Sequence, residues 1–272
     1  MSEADAIRRT STPATIESLS RDLTRLGLEP GMVVIVHSSL SALGWVVGGA
    51  VSVILALEEV VRSYGTLVMP THSTDLSDPS GWRDPPIPEE WWEEVRRAMP
   101  AFDPELTPSR GMGVIPECFR RQRDVLRSRH PQLSFAAWGE KSIQILSDHA
   151  LDFGLGEGSP LARVYDLGGW VLLLGVTHAS NTSLHLAECR ASWSGRREVP
   201  CSSPVSVDGH RRWRSYTELD YCSDDFEQIG RHFVEHNKQI VRQERVGLAE
   251  TQLFPQRDCV DYGVSWIERH RK

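Results

Sequence analysis

Apolar residues along this chain fall into two kinds of run. Ile16, Leu19, Leu23 and Leu26 recur at helical spacing over residues 12–28, and Gly27 stops the run. Gly31 then opens Met32-Val-Val-Ile-Val36, a continuous β-branched stretch of the kind found in a strand covered on both faces. Val53, Leu57, Val60 and Val61 mark a second helix over 52–61, closed by Ser63-Tyr64-Gly65. Two more short buried strands follow, Thr66–Met69 ending at Pro70 and Trp170–Leu174 entered through Gly168-Gly169. Strands alternating with helices predict an α/β fold with a mixed, largely parallel central sheet flanked by helices. The ligand site of such a sheet lies beyond the carboxyl ends of its strands.

Between these runs the pattern changes. Residues 75–113 hold Pro79, Pro85, Pro86, Pro88, Pro100, Pro104 and Pro108 together with Trp82, Trp91 and Trp92. A loop this long is functional or disordered, and three tryptophans argue for an ordered flap with a short helix near Glu89–Met99. Residues 199–222 read as a smaller β-rich region, followed by a helix over Asp224–Gln243. The expected organisation is one domain over 1–272, without internal repeats.

Composition narrows the class. The net charge of −7 disfavours a nucleic-acid binder and is compatible with a cationic substrate. No stretch approaches the ~20 apolar residues of a membrane span, and the acidic start Met1–Asp5 lacks a signal-peptide core. The five cysteines (Cys118, Cys189, Cys201, Cys222 and Cys259) are scattered and never form a CxxC pair. They point to reduced cytoplasm rather than to a disulfide framework or zinc knuckle. No histidine or acid shows metal spacing such as HExxH, so no metal is expected.

Three loops follow buried strands directly: His37-Ser38-Ser39-Leu40, Pro70-Thr71-His72-Ser73 and Gly175-Val-Thr-His178. The densest polar cluster runs from His178 to Glu188. Ser180 or Asn181 caps a helix there, which places His185 and Glu188 at i and i+3 on one face. His178 stands at the strand's end, where a general base would sit with a carboxylate to support its charge. His185 and Glu188 serve equally well as capping and packing residues on spacing alone, and Ser38 and Ser39 as turn residues. There is no GxxxxGK[ST] and no G-x-S-x-G.

Taken in order, several segments resemble the aminoglycoside 3-N-acetyltransferase family. They are Val36-His-Ser-Ser-Leu40, Gly65-Thr-Leu-Val-Met-Pro-Thr71, Thr107-Pro-Ser-Arg-Gly-Met-Gly113, Arg127-Ser-Arg-His-Pro131, Gly158-Ser-Pro-Leu-Ala-Arg163 and Leu172–His178 running on to Glu188. The match covers about residues 15–190. Thr177 departs from it, standing where many relatives have glycine.

The resemblance implies an enzyme that transfers acetyl from acetyl-CoA directly to the 3-amino group of an aminoglycoside, without an acyl-enzyme and without the common GNAT fold. His178 is the expected base, supported by Glu188, with His185 beside it and the Thr182 hydroxyl and amides of the 178–182 turn facing the oxyanion. The resemblance places the cosubstrate on Ser38, Ser39, Leu40, Thr71 and the Ser109-Arg110-Gly111-Met112-Gly113 segment. For a polycationic substrate the candidates are His72, Asp75, Asp103, Glu218, Asp220, Asp224 and Asp225, and these acids read as well as a solvated surface run. The alternatives are the same reaction on another small amine, or a non-catalytic CoA-binding protein. A hydrolase is disfavoured by the missing nucleophile elbow. The oligomeric state stays open, a homodimer included.

Overall fold

The structure is a computed structural model describing residues 3–272. In chain order its first half comprises α1 (Glu3–Arg9), α2 (Ile16–Leu26), β1 (Val33–Ser38), α3 (Gly49–Val61), β2 (Thr66–Pro70), α4 (Trp92–Ala98), α5 (Val114–Phe119), β3 (Leu126–Arg127) and β4 (Phe135–Gly139). There follow α6 (Ser142–Leu146), α7 (Pro160–Asp166), β5 (Trp170–Leu174), α8 (Ser183–Arg190), β6 (Glu198–Val207), β7 (His210–Leu219), α9 (Phe226–His236), β8 (Arg242–Val246), β9 (Ala249–Pro255) and α10 (Gln256–His270).

Seven strands form one mixed sheet in the order β3-β4-β2-β1-β5-β9-β8. The parallel pairing read from the apolar runs is the centre of it: β1 pairs parallel with both β2 and β5. The outer pairings, β2–β4, β3–β4, β5–β9 and β8–β9, are antiparallel, so the sheet is mixed and mostly antiparallel rather than largely parallel. Only the three central strands, buried on both faces, carry the apolar runs that the expectation rested on. β6 and β7 form a separate two-stranded arm within the region expected to be β-rich. The helix expected over 224–243 is shorter. α9 ends at His236, Asn237 Nδ2 returns 2.9 Å to the Phe233 carbonyl, and 242–246 forms edge strand β8.

The pleat divides the apolar residues between two cores. Val34, Val36, Leu172 and Leu174 face α2, α3 and α5, where Leu19, Leu23, Leu57 and Phe119 are buried. Ile35, Val171 and Leu173 face the other side, filled by Leu184, Leu186, Phe226, Phe233 and Ile267 from α8, α9 and α10. Helix ends follow local chemistry. Thr15 and Ser18 form a reciprocal capping box on α2, and Gly27 closes it at φ 97°, its N–H returning to Leu23.

The flap is ordered because it is sewn to the arm. Arg96 holds Asp78 through two bonds of 2.8 and 2.9 Å, Ser203 Oγ donates to the Leu76 carbonyl at 2.6 Å, and Phe102 N donates to the Pro204 carbonyl at 3.0 Å. Its far end returns residues 111–113 to the open ends of β1 and β2, where Arg110 N donates to the His72 carbonyl at 2.7 Å. No helix among the described residues is long and apolar enough to cross a membrane.

Candidate active site

Because β1, β2 and β5 run parallel, their carboxyl ends open on one edge and the loops after them meet there. His37 is the penultimate residue of β1, His72 lies just past β2, and α8 after β5 brings its cap residue Thr182 and His185. With Ser38, Gly111, Met112, Gly113, Ser223 and Phe226 they line a cavity of about 410 Å³.

One side of this cavity carries a histidine–glutamate dyad. His185 and Glu188 are one turn apart on α8, and His185 Nδ1 lies 2.5 Å from Glu188 Oε2. A carboxylate only accepts, so Nδ1 carries the proton and the Nε2 lone pair is free. The imidazole is 18% exposed and the carboxylate fully buried. Glu188 Oε1 accepts from Arg271 Nη1 at 2.5 Å and from Cys222 N at 3.1 Å. Arg271 also grips Asp225 in a bidentate pair of 2.7 and 2.6 Å. Burial opposes its charge, and the bonds to Asp225 and Glu188 outweigh that cost, raising its pKa further. Tyr221 and Phe226 flank the His185 ring at centroid distances of 5.0 and 4.8 Å.

The other two imidazoles are neutral. Burial, followed by the charges of His178 and His185, lowers His37 to about 3. Burial lowers His72 to about 3 as well, helped by His185, His130, His37 and Arg127. His37 Nε2, His72 Nε2 and Ser38 Oγ are buried without a hydrogen-bond partner. Unpartnered buried polar atoms are uncommon, and three gathered at one cavity mark a place for a polar ligand.

His178 lies behind this wall. It is not among the cavity-lining residues. Its ring stacks on Phe254 at 5.2 Å, its Nε2 sits 3.0 Å from Gln252 Oε1, and Asn181 Nδ2 lies 3.4 Å from its Nδ1. Burial pushes its pKa down, against the Gln252 hydrogen bond and the Glu227 carboxylate. α9 passes so close that a Cβ on Gly230 would stand 1.9 Å from His178 Cγ. Gly230→Ala should therefore destabilise the protein by about 1–3 kcal/mol in urea unfolding, as overpacked cores do. Adding His178→Ala should recover part of that loss; a Gly230→Ala protein as stable as wild type would refute the close contact.

A second cavity of about 450 Å³ lies on the α3 side, lined by Ser38, Ser39, Leu40, Trp45, Gly49 and Gly113 among others. Ser38 and Gly113 line both cavities, so the two meet there. Gly113 adopts φ 90°, which a side chain would strain. α3 begins at Gly49, after Gly48, without a side-chain cap; Gly49 N donates to the Val46 carbonyl at 3.0 Å, and the next amides of the first turn, Ala50 and Val51, are left for an anion. A larger, open cleft of about 880 Å³ lies at the β3 edge between Arg121, Arg129 and Asp148, away from the strand ends.

Several expected site residues lie elsewhere. Thr71 is buried, its hydroxyl 3.2 Å from both the Ser134 carbonyl and Arg127 Nε. Ser109 bonds Glu117 through N and Oγ at 2.9 and 2.7 Å, and exposed Arg110 pairs with Asp75 at 2.9 Å. Asp103 caps the amides of Glu105 and Leu106, both at 2.8 Å. Glu218 is buried, accepting from Gly154 N and the Tyr221 hydroxyl, both at 3.0 Å. Asp220 pairs with Arg197, and Asp225 with Arg271. Among the described residues, Asp224 alone of the run is exposed and makes no ion pair, beside the rim residue Ser223. The expected acidic surface is thus mostly consumed internally. Three of the turn amides expected at the oxyanion are also engaged: Ala179, Ser180 and Asn181 donate to Glu227, Thr177 and His178. Sequence reasoning missed His37, whose strand-end position was a signal, and Arg271, for which there was none.

The aminoglycoside 3-N-acetyltransferase family model matches residues 35–268. The SPbeta prophage-derived aminoglycoside N(3')-acetyltransferase-like protein YokD of Bacillus subtilis (strain 168) is 46% identical over 96% of this chain and 95% of its own. Its crystal structure superimposes with a TM-score of 0.95, covering 98% of each chain. Aminoglycoside N(3)-acetyltransferase VII of Streptomyces paromomycinus is 40% identical over 98% of this chain and 96% of its own. The structure described as AAC-IIIb binary with CoASH has a TM-score of 0.84 at 34% identity, covering 95% of this chain and 97% of the other. The family suggested by the ordered motifs is thereby established, and this chain belongs to the aminoglycoside 3-N-acetyltransferases, a family of acyltransferases.

Proposed function

We propose that this protein transfers acetyl from acetyl-CoA to the 3-amino group of an aminoglycoside by direct attack in a ternary complex, with His185 as the base. The observation that carries the reading is the junction at Ser38 and Gly113: one cavity reaches the open N-terminus of α3, the other the His185–Glu188 dyad. The first suits a pantetheine arm and pyrophosphate, because small residues and helix amides allow close approach. A relative of the same fold solved with CoASH supports a CoA cosubstrate.

In this reading His185 Nε2 removes a proton from the substrate ammonium, and Glu188 balances the imidazolium. The amine nitrogen bonds to the thioester carbon, whose oxygen gathers charge beside the unpartnered Ser38 hydroxyl, with Thr182 across the cavity. As the carbon–sulfur bond breaks, the sulfur takes a proton from His185, the acylated nitrogen gives its second proton to the freed Nε2 and thence to solvent, and neutral amide and thiol leave. Ser38, Ser39, Leu40, Gly111, Met112 and Gly113 remain on the path of the cosubstrate. Thr71, Ser109 and Arg110 shape it from behind, Arg110 by fixing His72. Asp224 is the acid left free for a cationic ring.

One observation favours a second reading with the same reaction. Most acids expected to greet a polycation are paired internally, which suits a smaller, less charged amine. Thiol release from acetyl-CoA, followed with neomycin, kanamycin, gentamicin and glucosamine, decides between them. Release with the aminoglycosides supports the first reading, release with glucosamine alone the second, and no release above background refutes both.

A further inference from the structure

We propose that Arg271 is a positioning residue for acyl transfer: its guanidinium fixes the Glu188 carboxylate against His185 and ties it to the loop at the cavity rim. The inference rests on the reading of His185 as the base.

Glu188 is fully buried, and Arg271 is the cation in contact with it. A buried carboxylate with only neutral partners is costly, and the ordinary relief is to bind a proton or swing away. Either would leave His185 Nδ1 without its acceptor and free the ring to take the wrong tautomer. Arg271 prevents both by holding Oε1 while Oε2 holds the imidazole.

The contact is shaped for arginine. Nη1 goes to Glu188, Nε and Nη2 go to Asp225, and Nη2 also reaches the Cys222 carbonyl at 2.8 Å. The guanidinium carbon lies 5.4 Å from the Trp193 ring, which braces its plane. A lysine would restore the charge without the fork. The fork and Glu188 also clamp the Cys222 peptide from both ends, Glu188 accepting its N–H and Arg271 binding its C=O. Ser223 and Phe226, both lining the cavity, follow at once, and Phe226 packs on the His185 ring. Two carboxylates around one guanidinium leave a single net negative charge, matched to the one proton His185 takes from the amine.

The test compares Arg271→Met and Arg271→Lys with wild type and with His185→Ala. It uses acetyl-CoA and whichever amine releases thiol fastest. Arg271→Met should lower kcat about 10- to 100-fold, the order seen when a partner orienting a functional group is lost. KM for acetyl-CoA should move less than about twofold, because its cavity lies across the Ser38–Gly113 junction. Arg271→Lys should recover part of kcat. The downfield imidazole N–H proton resonance of wild type, identified by its loss in His185→Ala, should be absent or broadened in Arg271→Met. If Arg271→Met does not fold, Arg271→Lys carries both readouts, with a smaller loss of kcat and a shifted resonance. Unchanged kcat in a folded Arg271 variant, with His185→Ala inactive, overturns the inference alone. So does a fall in kcat that tracks lost melting temperature and lost CoA binding while the resonance persists. An active His185→Ala overturns the parent reading instead.

Discussion

Replacing His185 by alanine is expected to lower kcat for thiol release about a thousandfold, within the range general bases contribute, and to leave CoA binding within about twofold. The expectation follows from where the imidazole stands. Its Nδ1 is committed to a buried carboxylate, its Nε2 makes no hydrogen bond among the described residues, and its ring lines the cavity that meets the second cavity at Ser38 and Gly113. An ammonium nucleophile is inert until it loses its proton, so removing the acceptor proposed for it would act on the chemical step and not on capture. The comparison that sharpens this is His178→Ala. His178 is packed between Phe254 and α9 with its Nε2 spent on Gln252. Its loss should destabilise the fold while turnover of the remaining folded protein stays within about tenfold of wild type. Steady-state rates at saturating amine, normalised to folded protein by near-UV circular dichroism, separate the two. A His185→Ala enzyme within tenfold of wild type, or a folded His178→Ala enzyme a thousandfold down, would reverse the assignment.

The different placement of the two histidines, His185 on the cavity and His178 off it, shows what the chain's pattern conveys and what it leaves out. The central strands were legible because Met32–Val36, Thr66–Met69 and Trp170–Leu174 are buried on both faces, which demands unbroken apolar runs. Strand β8 was not, because Arg242-Gln-Glu-Arg-Val246 is an edge that buries only Val246, and its polar residues extended the helical reading. The spacing of His185 and Glu188 on one helical face was equally legible. Which histidine meets the cavity was not. That depends on the turn His178–Ser180 folding under α9, against a glycine 52 positions later than His178. The acids from 218 to 225 failed for a related reason. Alternation along β7 buries Glu218, while Asp225 faces an arginine from beyond α10, and neither partner is marked locally. Long-range pairing of charges leaves no period in the sequence.

The neutral imidazoles on the cavity floor should make the protein markedly sensitive to mild acid. His37 and His72 titrate near 3 in the folded state against 6.5 for an ordinary imidazole, chiefly because burial penalises the cation. Their folded pKa values are lowered, so between about pH 6.5 and pH 3 the unfolded chain binds protons that the folded chain refuses. Stability must then fall as pH falls through that window. At pH 5 each histidine should cost about 2 kcal/mol relative to pH 7, and the pair about 4 kcal/mol. His149 and His178, also lowered by burial, add in the same direction. The paired carboxylates do not confuse the interval: Glu117, held near 2 by Arg120 and Ser109 against burial, weakens the fold only at lower pH. Urea unfolding at pH 7 and pH 5 measures the difference, and His37→Asn or His72→Gln should each remove about 2 kcal/mol of it. A free energy flat from pH 7 to 5, or an undiminished drop in both variants, would show that these rings are not the ones refusing the proton. The same refusal has a use at the site. In the proposed reaction a cationic amine approaching His185 would pass two imidazoles that can accept or donate a hydrogen bond and add no positive charge to repel it. The imidazole that would become charged in that reaction is the one with a carboxylate already behind it.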